Sequence, residues 1–349
     1  MRIYQIDPTK DARWTEFVER HPDASVFHTV GWLKVLQCTY GYAPVAFTTS
    51  SPTDELKNGL VFCRVESWLT GRRLVSLPFS DHCEPLCDSH EDPEFLVRSV
   101  QSSLSHEQWK YMEIRPINEN FGQTCAELGF QPVGRYRLHV VDLRPDLGQV
   151  FERFDKDSVR RRVQRAERAD LVEKRGVSDD LLKAFYKLFV ITRSRHHLPP
   201  IPYAWFPNLI RFMRDAVEIR VAYHQESAVA AILTLRFRDV LYYKYGCIDA
   251  RFKGLGVIPW LLWRAIADAK SKGAVKFDMG RTQEDNPGLL AFKNHWVLRP
   301  IPLVYWSFPR AAAHNGREDW KMKSAKRAFS YMPDRLLTII GRLIYRHIG

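Results

Sequence analysis

Hydrophobic positions along this chain alternate between a helical spacing of three and four residues and a strand spacing of two. Helical spacing marks 11–19 and 29–39, where Trp32, Val35 and Leu36 share one face. VAFTTS and LVFCRVE, separated by the polar turn SPTDELKNG, read as strands. RLVSLPFSDHCEP reads as a third, stopped by its prolines. A helix over 93–104, a strand in WKYMEIRP, a helix over 122–128 and a strand over 136–143 complete the first half.

The second half opens on the basic run FDKDSVRRRVQRAERADLVEKRG, in which Val159, Val163 and Ala166 fall on one helical face and arginines cover the rest. A helix over 181–194, the proline-broken loop RHHLPPIPYAWFPNL and a helix over 209–215 follow. EIRVAYH, SAVAAILTLRFRD and VLYYKYGCID then read as a meander of strands. A helix over 258–271, the strand AVKFDMG, a helix over 289–295 and the strand PLVYWSF close this half. Both halves run helix, strand (KYMEIRP or VKFDMGR), short helix, strand, with Glu113 and Asp278 in corresponding places. This order predicts a mixed α/β chain with a duplicated unit, 1–145 and 146–310, and a tail over 311–349.

Composition adds the nature of the partners. With 45% hydrophobic residues the chain can bury a core, and 52 Lys and Arg against 40 Asp and Glu give a net charge of +12. That balance favours phosphates, nucleic acid or acidic lipid surfaces. The basic residues are spread out and no recognised DNA- or RNA-reading motif is present. Six cysteines in a chain of 349 residues make no disulfide framework, so reduced, mostly packed thiols and a cytoplasmic setting are expected. The N-terminal stretch has acids and a proline where a secretory peptide needs an apolar run, and no stretch is long and apolar enough to span a bilayer.

The candidate chemistry centres on ARFKGLGVIPWLLWR, where Arg251, Lys253, Gly254, Leu255 and Gly256 lie between a strand and a helix. Glycine lets backbone N–H groups approach a ligand, and the first N–H groups of a helix lack internal acceptors and carry its positive dipole end. Phosphate oxygens satisfy both, with Arg251 and Lys253 as countercharge. The spacing is neither a Walker loop nor a full Rossmann fingerprint. Taken alone it fits an ordinary strand-to-helix turn with solvated charges better than an anion site.

In context, the meander, this loop, the helix, the strand ending FDMG and the next helix resemble the core of the GNAT acyltransferase superfamily, in which an R/Q-x-x-G-x-G/A loop holds the pyrophosphate of coenzyme A. SLPFSDHCEPL (76–86), DKDSVRRRVQRAERADLVEKRG (155–176), FDMGRT (277–282) and GLLAFKNHW (288–296) are similar to the FemABX-like group, more closely its BioF2-like branch, over roughly 27–308. The resemblance implies two tandem GNAT-like domains, each a mixed central sheet flanked by helices. The first would serve the acceptor and the second the donor, with a basic amphipathic helix after them. It implies N-acyl or aminoacyl transfer to an amine of an envelope or polysaccharide precursor, without a permanently bound cofactor. The Fem enzymes proper use aminoacyl-tRNA, but this chain shows no long coiled-coil arm and its loop is nearer the coenzyme A pattern.

Asp278 could hold or deprotonate the amine, or pair with Arg281. Tyr243 and Tyr245 alternate on their strand, which puts them on one face, where Tyr243 could give a proton and Tyr245 meet the acceptor, or both could be packing. Lys293, matching the family's FK element, could stabilise an oxyanion or a phosphate, or be a solvated helix charge. The resemblance assigns Asp81 and His82 to acceptor binding. His82, Cys83, Cys87 and His90 do not follow a standard zinc spacing, and Pro85 interrupts them, so no metal is expected. Arg161 and Arg162 could grip an acceptor phosphate, or belong to a solvated face supported by pairs such as Asp157–Arg161. Arg195 and His197 lie in the family's Arg/His-rich loop as further acceptor contacts.

The tail carries Leu336, Ile339, Ile340, Leu343 and Ile344 among basic residues and could lie on the inner membrane surface or dock on protein. The leading expectation is an acyl-CoA-dependent N-acyltransferase acting by direct attack on a small-molecule, lipid-linked or nucleotide-linked saccharide acceptor. An aminoacyl-tRNA-dependent enzyme, which would add a nucleic-acid partner, and a non-catalytic glycan- or lipid-binding adaptor are the alternatives.

Overall fold

The computed structural model describes residues 2–89, 92–104, 108–297, 299–309 and 334–348. In chain order the elements are β1 (Tyr4–Ile6), α1 (Ala12–Arg20), α2 (Val30–Tyr40), β2 (Ala43–Thr48), β3 (Asn58–Ser67), β4 (Gly71–Val75), β5 (Leu86–Cys87), α3 (Asp92–Leu104), β6 (Tyr111–Ile114), α4 (Glu119–Glu127) and β7 (Gln131–Asp142). Then come α5 (Leu147–Glu152), α6 (Arg161–Glu167), β8 (Leu171–Gly176), α7 (Asp179–Arg195), α8 (Trp205–Met213), β9 (Val217–His224), β10 (Ser227–Phe237), β11 (Val240–Ile248), α9 (Val257–Ser271), β12 (Lys276–Gln283), α10 (Pro287–Asn294), β13 (Ile301–Phe308) and α11 (Asp334–Ile348). The chain forms two compact units, one of Met1–Tyr136 with the strand from Pro302 and the last residues from Arg342, the other of Arg137–Ile301 with a segment ending at Gly341.

In the first unit the sheet order is β1-β2-β3-β4-β6-β13, with β5 on β3. β4 and β6 run parallel; β1–β2, β2–β3, β3–β4 and β6–β13 run antiparallel. Phe47, Phe62, Leu74, Met112 and Ile114 on the strands pack against Leu96, Val97 and Val100 of α3 and Phe121 and Cys125 of α4. α2 begins where the Thr29 hydroxyl accepts the Trp32 N–H and ends at Gly41 in the left-handed region. α4 starts three residues before the predicted 122, because Asn118 accepts the N–H groups of Asn120 and Phe121. At the chain's end α11 leaves carbonyls without helical partners. Tyr42 donates to those of Tyr345 and Arg346, and Arg73 and Thr70 to that of His347. The buried Arg73 guanidinium also meets the negative end of the helix dipole.

In the second unit β12-β11-β10-β9-β8 form the sheet, with the later half of β7 beyond β12. β11 and β12 are parallel, joined through α9, and the remaining pairs from β8 to β11 are antiparallel. On one face α9 buries Val257, Trp260, Leu261, Ala265 and Ile266 together with Ala230, Ile232 and Phe277 of the sheet. Val159, Val163 and Ala166 join this core, as their spacing requires. On the other face Phe185 and Phe189 of α7 and Phe206 of α8 meet edge to face, and Phe189 and Phe206 also meet Tyr245. α8 runs over Trp205–Met213 rather than 209–215, since Pro207 falls in the first turn, where a missing N–H costs nothing.

One expectation needs correction. PLVYWSF was expected to close the second domain, and 136–143 the first. Instead β13 pairs with β6 in the first unit, Trp306 opposite Ile114, while β7 passes at Arg137 into the second unit. Periodicity identifies a strand but not its partner, so the two closing strands are exchanged. The tail before 334 lies outside the described residues, and none of the described helices is long and apolar enough to cross a membrane.

β9 also carries a buried charge. Arg220, 2% exposed, donates to Glu218 at 2.5 Å, Glu173 at 2.8 Å and Asp268 at 2.7 Å, and Arg175 and Arg264 close the network. Burial alone would raise the Asp268 carboxyl, but the Arg220 hydrogen bond and the charges of Arg220, Arg175 and Arg264 outweigh it and hold it below its ordinary value. A depressed carboxyl contributes stability above its unfolded pKa and loses it as pH falls through the folded one. Replacing one member of such a network leaves the others uncompensated. Arg220→Met is therefore expected to destabilise by about 3–5 kcal/mol at neutral pH. The deficit should shrink as pH is lowered through the carboxylate range, as urea denaturation at several pH values will read.

Candidate active site

β11 and β12 share only three pairs, Val240–Lys276, Leu241–Phe277 and Tyr242–Asp278. Beyond them β11 runs on to Ile248 and β12 to Gln283. Both strands bend just past the last shared pair, each for its own reason. β11 carries a bulge: Thr234 faces Tyr243 and Leu233 faces Tyr245, so Lys244 is the extra residue. β12 turns at Gly280, whose φ of 71° lies in the left-handed region. Its kink is held from both sides, by the Gly280 N–H donating to Asp278 Oδ1 at 2.6 Å and by Lys293 Nζ donating to the carbonyls of Gly280 at 2.8 Å and Arg281 at 3.1 Å. The strands part into a notch at their carboxyl ends, where a parallel crossover also delivers the N-terminus of α9.

The glycine loop forms that corner. After β11, Asp249 accepts the Arg251 N–H at 3.0 Å and starts a 3-10 turn, Ala250–Leu255, and Gly256 at φ 76° starts α9. No side chain caps α9, so its leading amides keep their capacity for an outside acceptor. The two glycines answer to different constraints. A Cβ on Gly256 would overlap the main chain of Arg162 on α6, and its φ already excludes other residues. A Cβ on Gly254 would meet nothing within 4 Å, although Arg165 Nη1 donates to the Gly254 carbonyl at 2.9 Å.

Cations gather beside this corner. The end of α7 is tied to the end of β11: the Thr192 hydroxyl accepts the Ile248 N–H at 3.0 Å and Arg195 Nη1 donates to the Ile248 carbonyl at 3.3 Å. Burial holds the His196 pKa below the ordinary value, and Arg195, Lys253, Arg193 and His197 push it lower still, so all four crowd its ring. Arg251, expected here, is instead bound to Asp249 at 2.6 Å and points into solvent. Leu255 packs on the α9 core.

Of the other expected residues, Asp278 and Lys293 are each 4% exposed, so Lys293 is no solvated helix charge. Tyr243 and Tyr245 do not share a face: Tyr243 packs toward α9 and Tyr245 toward α7 and α8, because the bulge at Lys244 breaks the alternation. The Tyr243 hydroxyl lies over Gly246, where a Cβ would collide with it, and burial pushes its pKa up. Arg161 pairs with Asp157 on the exposed side of α6, while Arg162 contributes its main chain to the Gly256 contact. Arg281 and His197 stay near the notch and the cation cluster respectively. His139 on β7 gave no signal in the sequence beyond one polar letter in a strand. Its Nε2 meets Asn294 Oδ1 at 2.9 Å next to Lys293, and burial lowers its pKa and keeps the ring neutral.

In the first unit, Val75–Glu113 is the last pair of the parallel strands β4 and β6, so Glu113 does hold the register that Asp278 holds in the second. There the chain fills the opening itself. The Ser76 N–H donates to the Glu113 carbonyl, Cys83 bridges to Arg115, and Arg115 pairs with Glu113 at 2.7 Å and donates to the Leu77 carbonyl at 2.6 Å. Asp81 and His82 belong to this packed loop. The Asp81 carbonyl accepts from Tyr305 at 2.6 Å, and His82, 5% exposed, lies edge-on to Phe27. Among the described residues no group of three or more His, Cys, Asp or Glu is placed to hold a metal; His90 lies outside them.

Residues 153–294 match the family model of the acetyltransferase (GNAT) domain. Among solved structures, FemX is similar over 88% of this chain and 97% of its own at 14% identity, with a TM-score of 0.68. L-PGS from Bacillus licheniformis is similar over 93% and 98% at 13% identity, with a TM-score of 0.57. A tandem GNAT protein from the clavulanic acid biosynthesis pathway is similar over 88% and 97% at 9% identity, with a TM-score of 0.56. No curated protein matches the chain. At these identities the structural likeness is one of fold, and the domain match lies on the unit that carries the open notch. Residues 153–294 are therefore a GNAT acetyltransferase domain, which makes the chain an enzyme of the acyltransferase class, in a fold like those of FemX and the tandem GNAT protein.

Proposed function

We propose that this enzyme takes its acyl group from acyl-CoA and passes it to an amine of a cell-envelope or exopolysaccharide precursor. The observation that carries this reading is the notch between β11 and β12 opening beside an uncapped helix N-terminus, with Lys253 on its loop and Arg195 tied to the end of β11. A diphosphate supplies the acceptors that the α9 amides lack and negative charge to meet Lys253 and Arg195. A narrow thioester arm then fits the parted strands.

In the reaction the neutral amine attacks the thioester carbonyl, the C–S bond breaks, the thiolate takes a proton from a tyrosine, and the proton lost by the attacking nitrogen passes back to that tyrosine through water. Tyr243, kept protonated by burial at the root of the bulge, is the proposed donor. Asp278 and Lys293 act as positioning residues through the Gly280 kink. Direct attack is favoured over an acyl-enzyme because Cys247 on β11 is buried, which pushes its thiol up, away from the reactive thiolate. Arg281, Tyr245, Arg161 and Arg162 remain acceptor-side proposals, and an aminoacyl-tRNA donor is an outcome of the test below.

Calorimetry with acetyl-CoA and longer acyl-CoAs is expected to show binding in the micromolar range, about −7 to −8 kcal/mol. Gly254→Ala should leave stability within about 0.5 kcal/mol of wild type and weaken binding about tenfold. Gly256→Ala should destabilise the fold by more than about 1 kcal/mol. An absence of binding at millimolar acyl-CoA overturns the reading, and transfer from charged tRNA that is insensitive to coenzyme A replaces it.

The crowded cations also make a pH signature. His196 has a depressed pKa in the free protein, and an anion bound beside it raises that value, so binding takes up a proton and tightens as pH falls through the bound-state pKa. Calorimetry in two buffers of different ionisation enthalpy should show this uptake below neutral pH. His196→Gln should remove that share of it; identical uptake in wild type and variant counts against anion binding at this corner.

A further inference from the structure

We infer that the β3–β4 turn and the outer face of the last turns of α11, from Arg342 on, form a docking surface for an anionic lipid bilayer. This surface shares no residue with the candidate active site and does not depend on the donor assigned there.

Of the eleven exposed large hydrophobic residues among those described, four lie on the β3–β4 turn and the last turns of α11: Trp68, Leu69, Leu343 and Ile348. Trp68 is 86% exposed and Leu343 63%. Tyr345, two residues on, is buried, so this end of the helix packs one apolar side on protein and turns a second outward. The last turn is fixed by the bonds from Tyr42, Thr70 and Arg73, and Ser67 Oγ meets His347 Nδ1 at 2.9 Å. The Trp68 ring stands edge-on to His347 at 5.4 Å, one turn from Leu343, so turn and helix end make one apolar stripe.

Charge selects the occupant. Arg342 and Arg346 are exposed and lie one turn apart along the flank of the stripe. Exposed apolar side chains bordered by arginine, with a tryptophan at the edge, match the boundary between acyl chains and anionic headgroups. Among the described residues no helix is long and apolar enough to span, and the amphipathic end of α11 suits the plane of that boundary. A second copy of the chain fits less well, because a two-fold contact on this stripe brings like arginines together and offers no counter-charge.

The test is co-sedimentation of the full chain with vesicles of about three parts phosphatidylcholine to one part phosphatidylglycerol, against phosphatidylcholine alone. Wild type should bind the anionic vesicles and release them at high salt. Trp68→Ser with Leu343→Ser, and separately Arg342→Glu with Arg346→Glu, should each lower partitioning about tenfold, with unfolding temperatures unchanged because all four positions are exposed. Failure of wild type to bind, or binding by both variants at wild-type level, overturns the inference. So does a wild-type dimer in sedimentation velocity that the Trp68→Ser, Leu343→Ser variant dissolves, which would assign the patch to a second copy.

Discussion

The second unit depends on where two parallel strands stop pairing. β11 and β12 hold together through Tyr242–Asp278 and then bend apart, one by an added residue and the other by a glycine in the left-handed region. The chain's own bonds hold both bends. The bulge is set by the β10 register, and the Gly280 kink is clamped between the Asp278 carboxylate and the Lys293 ammonium, both buried. Burying a lysine is costly unless its N–H groups find acceptors, and here two main-chain carbonyls provide them. The most polar pair in the notch thus serves first to keep it open.

The first unit shows what the same register becomes without such a clamp. Glu113 occupies the place of Asp278, but Arg115 takes its charge and the loop from Ser76 to Cys83 fills the opening. No glycine pair follows β4. The two units share the parallel pair and the carboxylate at its end, and the difference between an open and a filled notch comes from the side chains that follow. That difference places the donor proposal in the second unit, where the domain match also falls.

Much of this was legible in the residues. The helical face of Val159, Val163 and Ala166 is buried, the correspondence of Glu113 with Asp278 is a shared register, and the glycine loop stands at a helix N-terminus. The chemistry of individual positions was less so. Arg251 has the spacing of a phosphate ligand, yet Asp249 two residues back is nearer than any partner outside the loop. Tyr243 and Tyr245 alternate in sequence, but one bulged residue puts them on opposite faces. Lys293 and His139 look like ordinary polar letters on a helix and a strand, and only their burial gives them a role.

The sequence by itself determined the elements, the repeat and the kind of ligand to expect, because periodicity, glycine and charge act over a few neighbouring residues. Tertiary structure decided which strand pairs with which, so that β7 and β13 exchange units. It also gave the two loop glycines separate reasons, the main chain of Arg162 against Gly256 and open space at Gly254. Those outcomes rest on contacts between residues tens to hundreds of positions apart, which no local pattern encodes.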